Sequence, residues 1–129
     1  MGFLYFIDMS TEKVYDEDYL DKILNKDSQI SKKEVNSGVY LIFRTIIPLS
    51  LYNKKPISIL CYIGSSNDVE KRIKDPNHIY RKLCEELEYT NTFEMSTITI
   101  HRHYCEDYFN LEYKLIQYAK PYYNKTIKQ

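Results

Sequence analysis

The chemistry-bearing residues of this chain gather around two tyrosines set beside glycines. Gly38-Val39-Tyr40 opens one β-like run, and Cys61-Tyr62-Ile63-Gly64-Ser65-Ser66 closes another. The second run breaks into a polar turn and then into Asp68-Val69-Glu70-Lys71-Arg72, a helix start that carries a guanidinium. Two phenols and an arginine in one place suit phosphoryl chemistry. Arg holds an anion such as a phosphate by paired hydrogen bonds. Glu112 is the sharpest single position. It sits in a later helical stretch among Tyr108, Phe109, Leu111, Leu115 and Ile116, and a carboxylate at the edge of an apolar stripe is costly unless it is paired or bound to a metal.

Each of these residues also has a plainer role open to it. Glu112 could pair with Arg72 or a lysine. Arg72 shares a helix side with Val69 and Ile73, so it either reaches inward to a phosphate or lays its stem on the surface with a solvated head. Tyr40 and Tyr62 could be core aromatics. His101 and His103 share one strand face at a spacing of two and have no Cys or acid at zinc-site spacing, so strand surface is their expected place. His78, close after Arg72, is the more interesting histidine. Lys54 and Lys55, at a hairpin tip, could touch nucleic-acid backbone or merely solvate a loop.

The elements that must position these groups follow from periodicity. Residues 3–7 make a short β-like run. Asp16 is a plausible N-cap for a helix to Leu24, where Tyr19, Leu20, Ile23 and Leu24 recur at helical spacing. Polar residues 25–37 form a linker, and this N-terminal extension, 1–37, is expected to pack over one side of the sheet or to select substrates or dimerise. Val39 to Ile47 is rich in β-branched and aromatic residues and reads as the central strand, stopped by Pro48. A loop leads to a second strand, 57–63, ended by Gly64, in a hairpin of uncertain register. A helix is predicted over 68–74 with Ser65, Ser66 and Asn67 as candidate caps. Asp75-Pro76-Asn77 breaks it, and a further helix runs over 78–88. A third strand, 93–103, and a final helix, 106–119 ended by Pro121, complete the pattern, with residues 125–129 expected to fray. The expected fold is α/β in the α+β sense, a small antiparallel sheet of about three central strands flanked by helices over residues 38–129.

Composition narrows the classes. A chain of 129 residues with 43% hydrophobic content supports one domain with a real core. No run approaches the ~20 apolar residues of a membrane span, and the N-terminus lacks the basic start and apolar core of a signal peptide. Three cysteines without metal spacing read as reduced thiols of a cytoplasmic protein. The net charge of +0 gives no chain-wide attraction for nucleic acid. The 14 tyrosines reflect either compositional bias or rings that stack on bases.

Taken in order, Gly38-Val39-Tyr40, Tyr62-Ile63-Gly64-Ser65-Ser66 with Asp68, Lys71 and Arg72, Leu111-Glu112-Tyr113-Lys114-Leu115-Ile116, and Lys120-Pro121-Tyr122-Tyr123-Asn124 resemble the GIY-YIG endonuclease domain over residues 38–124. The resemblance implies a metal-dependent hydrolase cutting phosphodiester bonds. Tyr40 and Tyr62 would be paired active-site phenols, with Tyr40 helping to activate or orient water. Arg72 would stabilise charge on the phosphoryl group, and Glu112 would be the sole protein ligand of one Mg²⁺ or Mn²⁺. Asn124 would brace the site. Where the family often places His or Tyr, one turn after the arginine, Pro76 stands here, so that His78 or Tyr80 would substitute. Lys54, Lys55 and Lys71 would touch nucleic acid. The implied substrate is DNA, with RNA possible, and a non-catalytic nucleic-acid or protein binding module on the same fold is the alternative. Sequence specificity would come from the N-terminal extension, from a homodimer or a protein partner, or be absent.

Overall fold

The computed structural model describes residues 5–7, 14–16, 34–49 and 55–127, with 5–7, 14–16 and 125–127 described by their backbone alone. Three long antiparallel strands form its centre: β3 (Gly38–Pro48), β4 (Ile57–Ser66) and β6 (Glu94–Tyr104). Short strands extend it on both sides. β1 (Tyr5–Ile7) and β2 (Val14–Asp16) lie beyond β4, and β5 (Tyr89–Thr90) lies beyond β6, giving the order β2-β1-β4-β3-β6-β5. The fold is thus α+β, with the expected three strands at its centre and short strands added at its edges. β1 joins β4 in parallel through Phe6↔Ser58. The described part of the N-terminal extension therefore continues the sheet edge-on instead of covering a face. Asp16 closes β2, and the helix expected from it to Leu24 falls otherwise outside the described residues.

The near-continuous apolar run Val39-Tyr40-Leu41-Ile42-Phe43 is explained by cover on both faces of the sheet. On one face Tyr40, Ile42, Cys61 and Ile98 pack with Val69 and Ile73 of α1 (Val69–Lys74) and Leu83 of α2 (Ile79–Leu87). On the other, Val39, Leu41, Phe43, Leu60 and Ile63 pack with Leu111, Leu115 and Ala119 of α3 (Tyr108–Ala119). Each fully buried side chain of this size contributes roughly 1.5–3 kcal/mol. The three free cysteines, Cys61, Cys84 and Cys105, form no disulfide. No described helix is long and apolar enough to cross a membrane.

Several boundaries move for local reasons. β4 runs two residues past Gly64, because Ser65 and Ser66 still pair with Val39 and Gly38. Asp68 is therefore the N-cap of α1, its carboxylate accepting from the Lys71 N–H at 3.2 Å. α3 ends where Lys120 turns left-handed (φ 45) and donates its N–H to the Ile116 carbonyl at 2.8 Å. After Pro121 the chain forms another short helix, α4 (Tyr122–Ile127), where fraying from residue 125 was expected. His101 and His103 do not share a surface role. Both are on the α3 side of the sheet, but His103, opposite Val39, is buried, whereas His101, opposite Leu41, is exposed and meets the Phe43 ring at 4.7 Å.

Candidate functional site

The register of the hairpin brings the two phenols together. Tyr40 faces Gly64, and Ile42 faces Tyr62, so the tyrosines are diagonal neighbours on one face, with ring centroids 6.3 Å apart. A bulge makes this possible. The pairing shifts between Ile42↔Tyr62 and Phe43↔Leu60, leaving Cys61 as an extra residue. Cys61 and Tyr62 both join the face covered by α1 and α2, while Leu60 and Ile63 point to α3. Gly64 is required by a close approach. A Cβ there would fall on Cζ and Oη of Tyr40 and lie 2.7 Å from its Cε2. The Tyr40 phenol occupies the space a side chain would take.

His78 completes the ring cluster. It is the N-cap of α2, and its Nδ1 accepts the Tyr80 N–H at 3.1 Å. The neutral ring therefore carries its proton on Nε2, which donates to the Tyr40 oxygen at 2.7 Å. His78 and Tyr40 are 2% and 1% exposed, so both groups are removed from water. Burial first and then the Arg72 guanidinium hold the imidazole down at about 4, with Asp75 acting the other way. Tyr40 is pushed far above the usual phenol range by burial, then by Tyr62, while Arg72 pulls it down and Glu112 adds to the rise. Tyr62 is raised by burial first and by Glu112 second, against Arg72 and the Tyr40 hydroxyl.

The depressed His78 has a consequence for stability. Below its unfolded value of 6.5 the unfolded chain takes up a proton that the folded chain refuses until about 4. Stability from this group is present above pH 6.5 and is lost as pH falls toward 4, by about 3 kcal/mol at full extent. Denaturant titrations across pH 4–7 should show this loss, and His78→Gln should flatten it. An unchanged profile in the variant would place the acid sensitivity elsewhere.

Arg72 lies at the rim of its helix's buried side, where its guanidinium still acts on Tyr40. Its side chain is 47% exposed and lies 3.6 Å from Asp75. The reason is that Val69 and Ile73 fill the buried side of α1. From the rim it still borders, with Tyr62 and His78, a groove of about 660 Å³. Glu112, half-buried on α3, makes no ion pair with a described residue, so the expected alternative partners Arg72 and lysine are not engaged. Among the described residues no three His, Cys, Asp or Glu side chains cluster. A single unpaired carboxylate fits a hard divalent cation that keeps most of its ligands as water or phosphate oxygens.

Asn124, 3% exposed, braces the site from behind. Its Oδ1 accepts the Ile63 N–H at 2.8 Å and its Nδ2 donates to the Ile63 carbonyl at 2.7 Å. It thereby acts as a strand partner for the residue between Tyr62 and Gly64, with both polar atoms of its amide engaged there.

Tyr40, Tyr62 and His78 thus form one ring cluster beside Arg72, Glu112 reaches it through its charge on the two phenols without lining the groove, and the lysines stand apart. Lys55 precedes β4 at the end opposite Gly64, roughly 20 Å along the strand from Tyr62. Lys71 borders a separate shallow depression with Asp68, Glu70, Lys74 and Asp75. Lys54 lies outside the described residues. Sequence reasoning missed Lys82 and Asn77, which line the groove. The Asp75-Pro76-Asn77 break was the available signal, since it separates α1 from α2, which pack on the same face of the sheet. No protein-family model, curated protein or solved structure matches this chain.

Proposed function

We propose that this chain is a metal-dependent endonuclease of the GIY-YIG type that hydrolyses phosphodiester bonds of DNA. One observation carries the reading. Two neighbouring phenols, one of them hydrogen-bonded to a neutral histidine, lie within the field of both a rim guanidinium and a carboxylate that pairs with no described cation. This is the combination that in-line attack of water on a phosphodiester needs: a positioned oxygen acceptor, a cation for the phosphoryl oxygens, and a carboxylate for a divalent ion.

In this scheme the His78 Nε2–H, donated into the Tyr40 oxygen, favours the phenolate over the phenol and fixes the direction of its lone pairs. Burial holds Tyr40 as a phenol, so it would first give its proton to solvent, a loss that the Arg72 charge favours. The phenolate then takes a proton from the attacking water as the water oxygen bonds to phosphorus, and the leaving oxygen departs and takes a proton from solvent. Arg72 exchanges Asp75 for the phosphate, which is open to it because the pair is exposed and weak. Glu112 would hold Mg²⁺ or Mn²⁺, which supplies charge neutralisation at the phosphate.

A second reading has its own support. Tyr40 is almost wholly enclosed and Arg72 is engaged by Asp75, as in a module that holds nucleic acid without cutting it. Incubation of the purified chain with supercoiled plasmid, single-stranded DNA and RNA, each with Mg²⁺, Mn²⁺ or EDTA, separates the two. Metal-dependent cutting reduced at least about a hundredfold by Tyr40→Phe is the expected result. Tight binding with no cutting under any condition would favour the module, and preference for RNA would reassign the substrate.

A further inference from the structure

The groove that Arg72 borders has a wall with a feature that phosphodiester hydrolysis does not require. Tyr122 and Tyr123 stand edge to face there, with ring centroids 5.1 Å apart, at the start of α4. Tyr122 is 42% exposed. The pair is held rigidly, because Asn124 next to it is pinned to Ile63 by two hydrogen bonds. Lys82 on α2 borders the same groove. It lies 4.0 Å from Glu86, with side chains 69% and 50% exposed, a pairing weak enough in water to give way to a phosphate.

We infer that this wall receives an unpaired nucleotide, so that the preferred substrate is nucleic acid with an unstacked base beside the phosphate held at Arg72. The inference rests on the nuclease reading only for which phosphate is cut. Its volume, about 660 Å³, has room for one base and its sugar. A base inside a duplex presents no face to such a wall and would first have to be extruded. The charges agree. Two cations, Arg72 and Lys82, with one acid, Glu86, match a single backbone better than the paired backbones of a duplex. With a net charge of +0, the chain also lacks the excess of cations from which duplex binders draw affinity. Stacking on an aromatic ring supplies affinity without charge.

The test measures binding apart from cutting. Three DNAs of one sequence (single-stranded, fully paired, and paired with one unpaired 2-aminopurine) are titrated with the full chain in Ca²⁺ or EDTA, by anisotropy and by 2-aminopurine fluorescence. The expected result is at least about tenfold tighter binding of the two DNAs with unpaired bases, with the fluorescence altered on binding. Tyr122→Ala should erase the preference and the fluorescence change, and Tyr122→Phe should keep both. Near-UV circular dichroism of Tyr122→Ala establishes that it folds. Equal affinity for the three DNAs, or a uniform loss in Tyr122→Ala, would overturn the inference. The same DNAs with Mg²⁺ separate the two readings. A preference that persists in a chain that cuts nothing sustains the nucleotide wall and removes the nuclease, whereas fully paired DNA cut as fast as the others removes the wall and sustains the nuclease.

Discussion

Glu112→Gln should reduce metal-dependent cleavage by about a thousandfold or more while leaving the fold intact. Glutamine keeps the volume of the side chain and its half-buried position on α3. No ion pair with a described residue is lost, so there is little structural reason for destabilisation. What disappears is the negative charge that would hold a divalent ion, and such an ion is worth several kcal/mol to a phosphoryl transition state. A second readout distinguishes this from indirect damage. The Glu112 charge raises both Tyr62 and Tyr40, so the variant's ultraviolet titration should show phenols ionising at lower pH than in the wild type. Cleavage at wild-type rates with saturating Mg²⁺ would remove Glu112 from the site.

Gly64→Ala should damage both stability and activity, although it adds one methyl group. That methyl would occupy the space of the Tyr40 Cζ and Oη. Tyr40 cannot swing away without cost, because it is 1% exposed, bonded to His78, and packed among Ile42, Val69 and Leu83. Overpacking of this kind costs about 1–3 kcal/mol, and the displaced phenol loses the His78 Nε2–H. Cleavage should fall at least as far as in Tyr40→Phe, since the ring moves as well as the hydroxyl. In the double variant Tyr40→Ala with Gly64→Ala, the alanine at 64 should cost much less than it does alone, which a double-mutant cycle in denaturant measures. Additive losses would show that the methyl group strains something other than Tyr40.

The sequence by itself determined the elements. Its hydrophobic periods were sufficient for the three central strands, the helices after Ser66 and His78, and the closing helix before Pro121, because burial of a strand or helix face is written locally in every second or every third to fourth residue. It also determined which residue types could do phosphoryl chemistry. What it left open was how those residues meet. The period-two rule fails at Cys61, where a bulge turns two consecutive side chains to one face and so sets Tyr62 beside Tyr40. Nothing local indicates that His78 meets a phenol 38 positions earlier, or that Asn124 completes the strand at Ile63 across 61 positions. Helix position left Arg72 either reaching inward or lying on the surface, and the packing of Val69 and Ile73 holds it at the rim. His103 read as surface and is buried by the α3 layer on its face of the sheet. Of the edge strands only β1 was legible, as the β-like run 3–7, while β2, β5 and α4 were too short for periodicity to register. On the side of β4 away from β3, backbone groups are satisfied by β1 and by Asn124, and β5 pairs with β6 at the other edge. Local pattern fixes which face of an element is apolar, while register, bulges and the closure of distant backbone groups decide which side chains share a site.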